Sequence, residues 1–202
     1  FIISLSATLI VIFIAVPAAY YVARNDFRGR KGFLFLVLVT QMFAPTALVI
    51  GIFREIAKLN LANTYLGLIL VYAAFNMAFS IWILSSFFSS IPQEIEEAAW
   101  IDGCSRVSTL VRIVLPLSLP GLATAFIFTF IAAWNEFVIA LTLTSSPEQE
   151  PLTVGLTALI GFYQVQWQYL FAGSLIAIVP VVILFGLIEK WLVGGLTAGS
   201  VK

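Results

Sequence analysis

The sequence predicts an all-α integral membrane protein. Three observations predict it. The first is composition: of 202 residues, 61% are hydrophobic and 10% charged, with mean hydropathy +1.08. A soluble domain is about 25% charged and about 45–50% apolar, so these few charges could not cover a water-exposed surface. The second is length: the apolar residues gather in runs near the about 20 that a bilayer-spanning helix needs. The third is pattern: the runs are continuously apolar, not alternating, which favours helices over barrel strands.

Taken in order, the runs predict five spans: Phe1 to Ala23, Phe33 to Phe53, Tyr65 to about Phe88, about Leu117 to Thr144, and about Tyr169 to Val193. Pro17, Pro45 and Pro180 fall inside them and are candidate kinks. Phe1 opens directly in an apolar run with no Met and no basic segment, which reads as an N-terminally incomplete chain and not as a signal peptide.

Lys and Arg set the orientation. Arg24, Arg28, Arg30, Lys31, Arg106, Arg112, Lys190 and Lys202 share one side of a five-span zigzag; only Arg54 and Lys58 lie on the other. The richer side is expected to be cytoplasmic, together with the C-terminus. Phe1 then lies at the outer face, and one further upstream span would return the N-terminus to the cytoplasm.

On the outer side, REIAKLNLANT (54–64) reads as a short interfacial helix with a turn, and TSSPEQEP (144–151) as a loop. LTVGLTALIGFYQVQWQ (152–168) is half-apolar and ends in interface-seeking aromatics, so an amphipathic surface helix and a re-entrant segment both fit. No internal repeat or low-complexity tract is present.

Composition also excludes function classes. The net charge is zero, which gives no long-range field for nucleic acid. There is no His, and Cys104 is the single cysteine. A disulfide within the chain, a Cys/His metal site and His-based catalysis are therefore excluded. No G-x-x-x-x-G-K-[ST] phosphate loop occurs, so the chain does not hydrolyse ATP by that route.

One stretch breaks the apolar pattern: EEAAWIDGCSRVSTLVRIVLP, Glu96 to Pro116. Pro92 suits the first turn of a helix, and Glu94, Glu96 and Glu97 lie near its positive end. The helix is expected to run through Ile101. Gly103 then stands where a left-handed C-terminal residue is needed. A second segment runs from about Ser105 to Leu115, and Pro116 and Pro120 mark re-entry. On spacing alone the insert is either a solvated connector or a structured loop that docks a partner. Ala98 and Ala99 would give it a thin face.

The spacing Glu97-Ala98-Ala99, Gly103, then Ile113-Val114-Leu115-Pro116, with Asp102 beside the glycine, resembles the EAA loop of ABC importer permeases. LNLANTYLGLIL (59–70), FFSSIPQEIEEAA (87–99), AAWNEF (132–137) and the tail GGLTAGSVK (194–202) resemble the carbohydrate, maltose-type branch of that family. Cys104 departs from the small residue, such as Ala, that is usual there.

The resemblance implies a single transmembrane domain over 1–202, six-spanned when complete, with a cytoplasmic coupling loop at 89–116 and a tail at 194–202. It implies a coupling helix seated on a cytoplasmic ATPase dimer. Glu97 would meet basic or polar groups, Ala98 and Ala99 would allow close packing, and Asp102, Gly103, Ile113, Leu115 and Pro116 would shape the loop. Leu196, Thr197, Ala198, Gly199, Ser200 and Val201 would reach the ATPase. The other implied partners are a homologous second permease and an extracytoplasmic binding protein. No cofactor of its own is implied, ATP and Mg²⁺ being held by the ATPase, and the setting is a prokaryotic inner membrane.

Polar groups inside the spans are the candidates for the substrate path or gate: Gln41, Asn76, Trp134, Asn135 and Glu136, with Tyr72 and Trp82 nearby in sequence. Aromatic faces and amides suit a sugar. Lipid or helix packing for the tryptophans, and interhelical hydrogen bonds for the amides, are the alternatives. The expected cargo is a sugar or oligosaccharide, with a polyol or glycerol-phosphate compound as the alternative. An ion-coupled secondary transporter fits less well, because no repeat or set of intramembrane ion ligands is present.

Overall fold

The computed structural model describes residues 1–161 and 165–197, the side chains of 190–197 excepted. Three helices are uninterrupted and long and apolar enough to cross a membrane: α1 (Ile2–Arg24), α4 (Tyr65–Ser90) and α10, which runs Trp167–Thr197 and is apolar through Glu189. Pro17 and Pro180 lie inside α1 and α10, and each helix continues through its proline.

α1 packs on α4 along a ridge of residues four apart. Ile3, Ala7, Val11, Ala15, Ala19 and Ala23 are all buried. Small side chains at that period let two backbones approach closely, the main source of helix association in lipid, where hydrophobic driving force is lacking. α7 (Leu119–Trp134) completes the bundle against both. A buried Ser80 Oγ to Thr129 Oγ1 hydrogen bond of 2.9 Å ties it to α4. α10 packs on α7 and on the 3-10 turn Leu156–Leu159. Otherwise it exposes Phe171, Leu175, Ile176 and Ile183, an apolar outer face suited to lipid or to another membrane chain.

The second expected span is not one helix. α2 (Arg30–Thr40) and α3 (Pro45–Lys58) meet at 93°. Pro45 is the cause. It opens α3, and the residue before it, Ala44, is extended (φ −63°, ψ 131°), as a pre-proline residue prefers. The interfacial helix expected at 54–64 is instead the end of α3. It is closed by Asn60 in the left-handed region (φ 56°), with Leu61 N–H bonded to Ile56 O and Asn60 N–H to Ala57 O.

The fourth expected span is also divided. α7 ends at Trp134, and a separate short α8 covers Val138–Leu143. At 16 residues α7 is about 24 Å long, short of the about 30 Å hydrocarbon core. Among the described residues of 152–168 no single surface helix is present. They comprise a turn of α9 (Leu152–Gly155), the 3-10 turn and an isolated pairing of Ile160 with Val165.

Asn63 organises the end of the bundle opposite Arg24. Its backbone is left-handed (φ 57°). Its Oδ1 accepts from the N–H groups of Ser145 and Ser146 (2.9 and 3.1 Å), its Nδ2 donates to Ser146 Oγ, and its own N–H donates to Leu143 O. Thr64 follows as the N-cap of α4, its hydroxyl accepting from Gly67 N–H.

Gly67 lies under this turn: a Cβ there would stand 2.2 Å from the Leu61 carbonyl oxygen. Overpacking of this kind costs about 1–3 kcal/mol. Gly67→Ala should lower the unfolding temperature of the purified protein. Gly51→Ala, with nothing within 4 Å of the added atom, should leave it unchanged or higher.

Candidate functional site

The polar insert folds as two helices at one end of the bundle. α5 covers Gln93–Ile101. Gly103 is left-handed (φ 87°); its N–H bonds to Trp100 O, and that of Cys104 bonds to Ala99 O, which closes α5 in a Schellman motif. Ser105 caps the second helix, α6 (Arg106–Leu117), by accepting from Ser108 N–H. α6 contains a π-helical turn at Leu110–Val114 and meets α7 at 80°. The break falls at Ser118, between Pro116 and Pro120.

The two faces of α5 differ. Glu97, Ala98, Asp102 and Gly103 are exposed. So are Ile101 (87%), Val107 (72%) and Val111 (55%), large apolar side chains turned to solvent. Ile113 and Leu115 are half-buried and Pro116 exposed. Ala99 is a correction: it is buried within the chain, so the thin outward face rests on Ala98 alone.

Ala99 shares its inward face with Glu96, three residues earlier, which is 1% exposed. Arg24, at the C-terminus of α1, reaches the Glu96 carboxylate with Nε and Nη2, both 2.6 Å from Oε1. Tyr20 donates its hydroxyl to Oε2, and Arg24 Nη2 also donates to Ile91 O at 3.1 Å. Sequence reading treated Glu96 only as an acid near a helix start. The i, i+3 pairing with Ala99 marks its face, but its partner lies 72 residues upstream.

A second constellation lies inside the bundle. Gln41, Asn76 and Glu136, named separately from sequence, line one cavity of about 210 Å³ with Thr40, Tyr72 and Phe75. The break after α2 creates it. Gln41 Nε2 donates across it to Phe75 O at 3.1 Å, and Asn76 donates to Tyr72 O on its own helix. Tyr72 is 2% exposed, and its hydroxyl has no partner among the described residues. It also lines a neighbouring cavity of about 240 Å³ with Tyr65, Trp134 and Glu150.

Trp134 and Asn135 do not line the first cavity. Trp134 stacks on Phe130 and donates Nε1–H to Ala177 O at 3.0 Å, joining α7 to α10. Asn135 is exposed. Trp82 stacks on Phe79. Of the tail positions, Ala198, Gly199, Ser200 and Val201 lie outside the described residues, as do the side chains of Leu196 and Thr197.

Residues 7–197 match the family described as the binding-protein-dependent transport system inner membrane component. The chain belongs to this family. It is 41% identical over 196 residues to the trehalose/maltose transport system permease protein MalG of Thermococcus litoralis, covering 96% of this chain and 70% of that one. It is 38% identical over 202 residues to the sulfoquinovosyl glycerol transport system permease protein SmoH of Agrobacterium fabrum, covering all of this chain and 71% of that one. Among solved structures it resembles a bacterial ABC transporter involved in the import of the acidic polysaccharide alginate. There the TM-score is 0.70 at 28% identity, over 94% of this chain and 74% of that one.

The family read from the EAA spacing is thus the one that residues 7–197 match. As a permease component it is a multi-pass membrane transport subunit and not an enzyme, and it works with an ATPase and a binding protein.

Glu136 has a structural task in this permease. Its two carboxylate oxygens accept from Ile139 and Ala140 N–H (2.9 and 3.0 Å), and so cap α8 where the helix dipole is positive. Loss of such a cap costs about 0.5–2 kcal/mol. Glu136→Ala should lower the unfolding temperature, and Glu136→Gln, which keeps one acceptor, should recover about half of the loss. An unchanged unfolding temperature with altered uptake would assign the carboxylate to the transport path instead.

Proposed function

We propose that the chain forms half of the translocation path of an importer for a sugar or oligosaccharide, beside a homologous second permease. Its coupling loop, 89–116, carries the motion of a cytoplasmic ATPase dimer to the spans. The observation that carries this reading is the outward edge of the loop. Glu97, Ala98, Ile101, Val107 and Val111 are all exposed, a mixed acidic and apolar set of side chains on the loop at the end of the bundle that also holds Arg24. Burying each of those apolar side chains in a partner would contribute about 1.5–3 kcal/mol. The loop end and the C-terminus are cytoplasmic, in keeping with the Lys and Arg distribution. ATP and its Mg²⁺ belong to the ATPase. The tail 194–202 is a second contact to it.

The cavity of Gln41, Tyr72, Asn76 and Glu136 supplies amides, a phenol hydroxyl and a carboxylate, groups that bond sugar hydroxyls. Relatives named for trehalose and maltose and for diacetylchitobiose support a saccharide cargo. A relative named for sulfoquinovosyl glycerol extends the range to a glycosylated polyol, and another is named for osmoprotective compounds.

Three outcomes test this reading. Glu97→Arg should reduce co-purification of the ATPase several-fold while the permease still accumulates in the membrane; undiminished co-purification would remove the loop from the contact. Gly103→Val places a β-branched residue at φ 87°, where an L side chain costs about 1–2 kcal/mol. It should lower uptake per ATP hydrolysed without loss of membrane insertion. Competition of labelled saccharide uptake by a panel of sugars and glycerol phosphates assigns the cargo class, and inhibition by the phosphates alone would overturn the sugar reading.

A further inference from the structure

The Glu96 cluster is built more tightly than a connector needs. Among the described residues, every side-chain hydrogen bond that α5 receives from another helix comes from Tyr20 or Arg24 of α1, and both end on the Glu96 carboxylate. Arg24 also holds the Ile91 carbonyl just before α5 begins. Apolar packing does not duplicate the link. Ala99, the other buried residue of α5, lies outside the contiguous apolar core. The Arg24 and Glu96 side chains are 10% and 1% exposed, so the pair is shielded from water and salt.

We propose that Glu96 is a positioning residue that clamps the coupling helix to the first span, so that α5 and the end of α1 move as one body when the ATPase moves the loop. The inference rests on the coupling-loop reading. It assigns the two adjacent acids opposite tasks: Glu97 faces the partner, and Glu96 faces the permease's own spans. α4 is joined to α5 directly through Ile91 and Pro92; the carboxylate adds a second path, so that force received at the outward edge of α5 also reaches α1.

The test uses the whole transporter, with its ATPase, second permease and binding protein, in liposomes. The readout is substrate imported per ATP hydrolysed, normalised to assembled complex. Glu96→Gln should retain the ATPase on purification but import about tenfold less per ATP. Tyr20→Phe removes one hydrogen bond and leaves the ion pair, so it should accumulate normally and lower the ratio about twofold to fivefold. The exchange Arg24→Glu with Glu96→Arg should return the ratio to within about twofold of wild type. A wild-type ratio in Tyr20→Phe and Glu96→Gln would overturn the clamp, as would an exchange variant that assembles but stays uncoupled. If Glu96→Gln does not accumulate, Tyr20→Phe decides. Loss of the ATPase from Tyr20→Phe would also overturn it, since the cluster would then shape the docking seat. If Glu97→Arg leaves docking intact, the coupling-loop reading itself fails, whatever the clamp variants do.

Discussion

The seam between α1 and α4 is the contact on which the rest of the bundle depends. In lipid, apolar side chains gain little by leaving their surroundings, so helices associate through close packing and a few polar bonds. The ridge Ile3, Ala7, Val11, Ala15, Ala19 and Ala23 supplies the first. The buried Ser80–Thr129 bond supplies the second, between α4 and α7. Two polar constellations are hung from this frame: the loop, which follows α4 and is bonded to the end of α1, and the cavity lined by Tyr72 and Asn76 of α4.

A buried ion pair is a poor device for stability alone. Removing two charges from water offsets most of their attraction, and apolar replacements of similar volume are often as stable. Breaking one partner is another matter, costing about 3–5 kcal/mol because a buried charge is left alone. The pair Arg24–Glu96 therefore fixes a geometry more than it adds stability. Arg24 at the C-terminus of α1 also meets the negative end of that helix dipole, which favours a cation there before any partner arrives.

What the sequence made legible follows from the range of each signal. α1, α4 and the body of α10 were readable because continuous apolar length is a local property. So were the Gly103 bend and the Ser105 restart, which rest on residues a few positions apart. The break at 41–44 had a local mark, Pro45, but in a membrane run a proline is equally compatible with a kink, and only the extended Ala44 decides. The division of α7 from α8 had no such mark. Glu136 reads as a path carboxylate by its place in an apolar run; that it caps a new helix depends on where the chain turns. Ala99 on the outer face was wrong, and the partners of Glu96 were out of reach, for the same reason: which face of α5 turns inward is set by Arg24 and Tyr20, far upstream.

The loop is held differently at its two ends, and on the coupling-loop reading that difference would give it a direction of motion. Its first helix is bonded to α1 through a rigid, buried cluster. Its second helix joins α7 through a π-helical turn, a rare departure from α-geometry whose Val114 is buried in the core, and an 80° break. At that break the Ser118 hydroxyl is buried without a partner among the described residues. A push on the outward edge of α5 would therefore turn α1 and the loop together, and the angle between α6 and α7 would take up the change. The proline and glycine near the joint, Pro116, Pro120 and Gly121, suit that division, but Gly121 adds a limit: a Cβ there would stand 2.4 Å from the Phe87 ring. The start of α7 is thus locked closely to the end of α4, and rotation is confined to the residues before it. On the coupling-loop reading the joint would lie in the loop, ahead of the packed helices of the bundle.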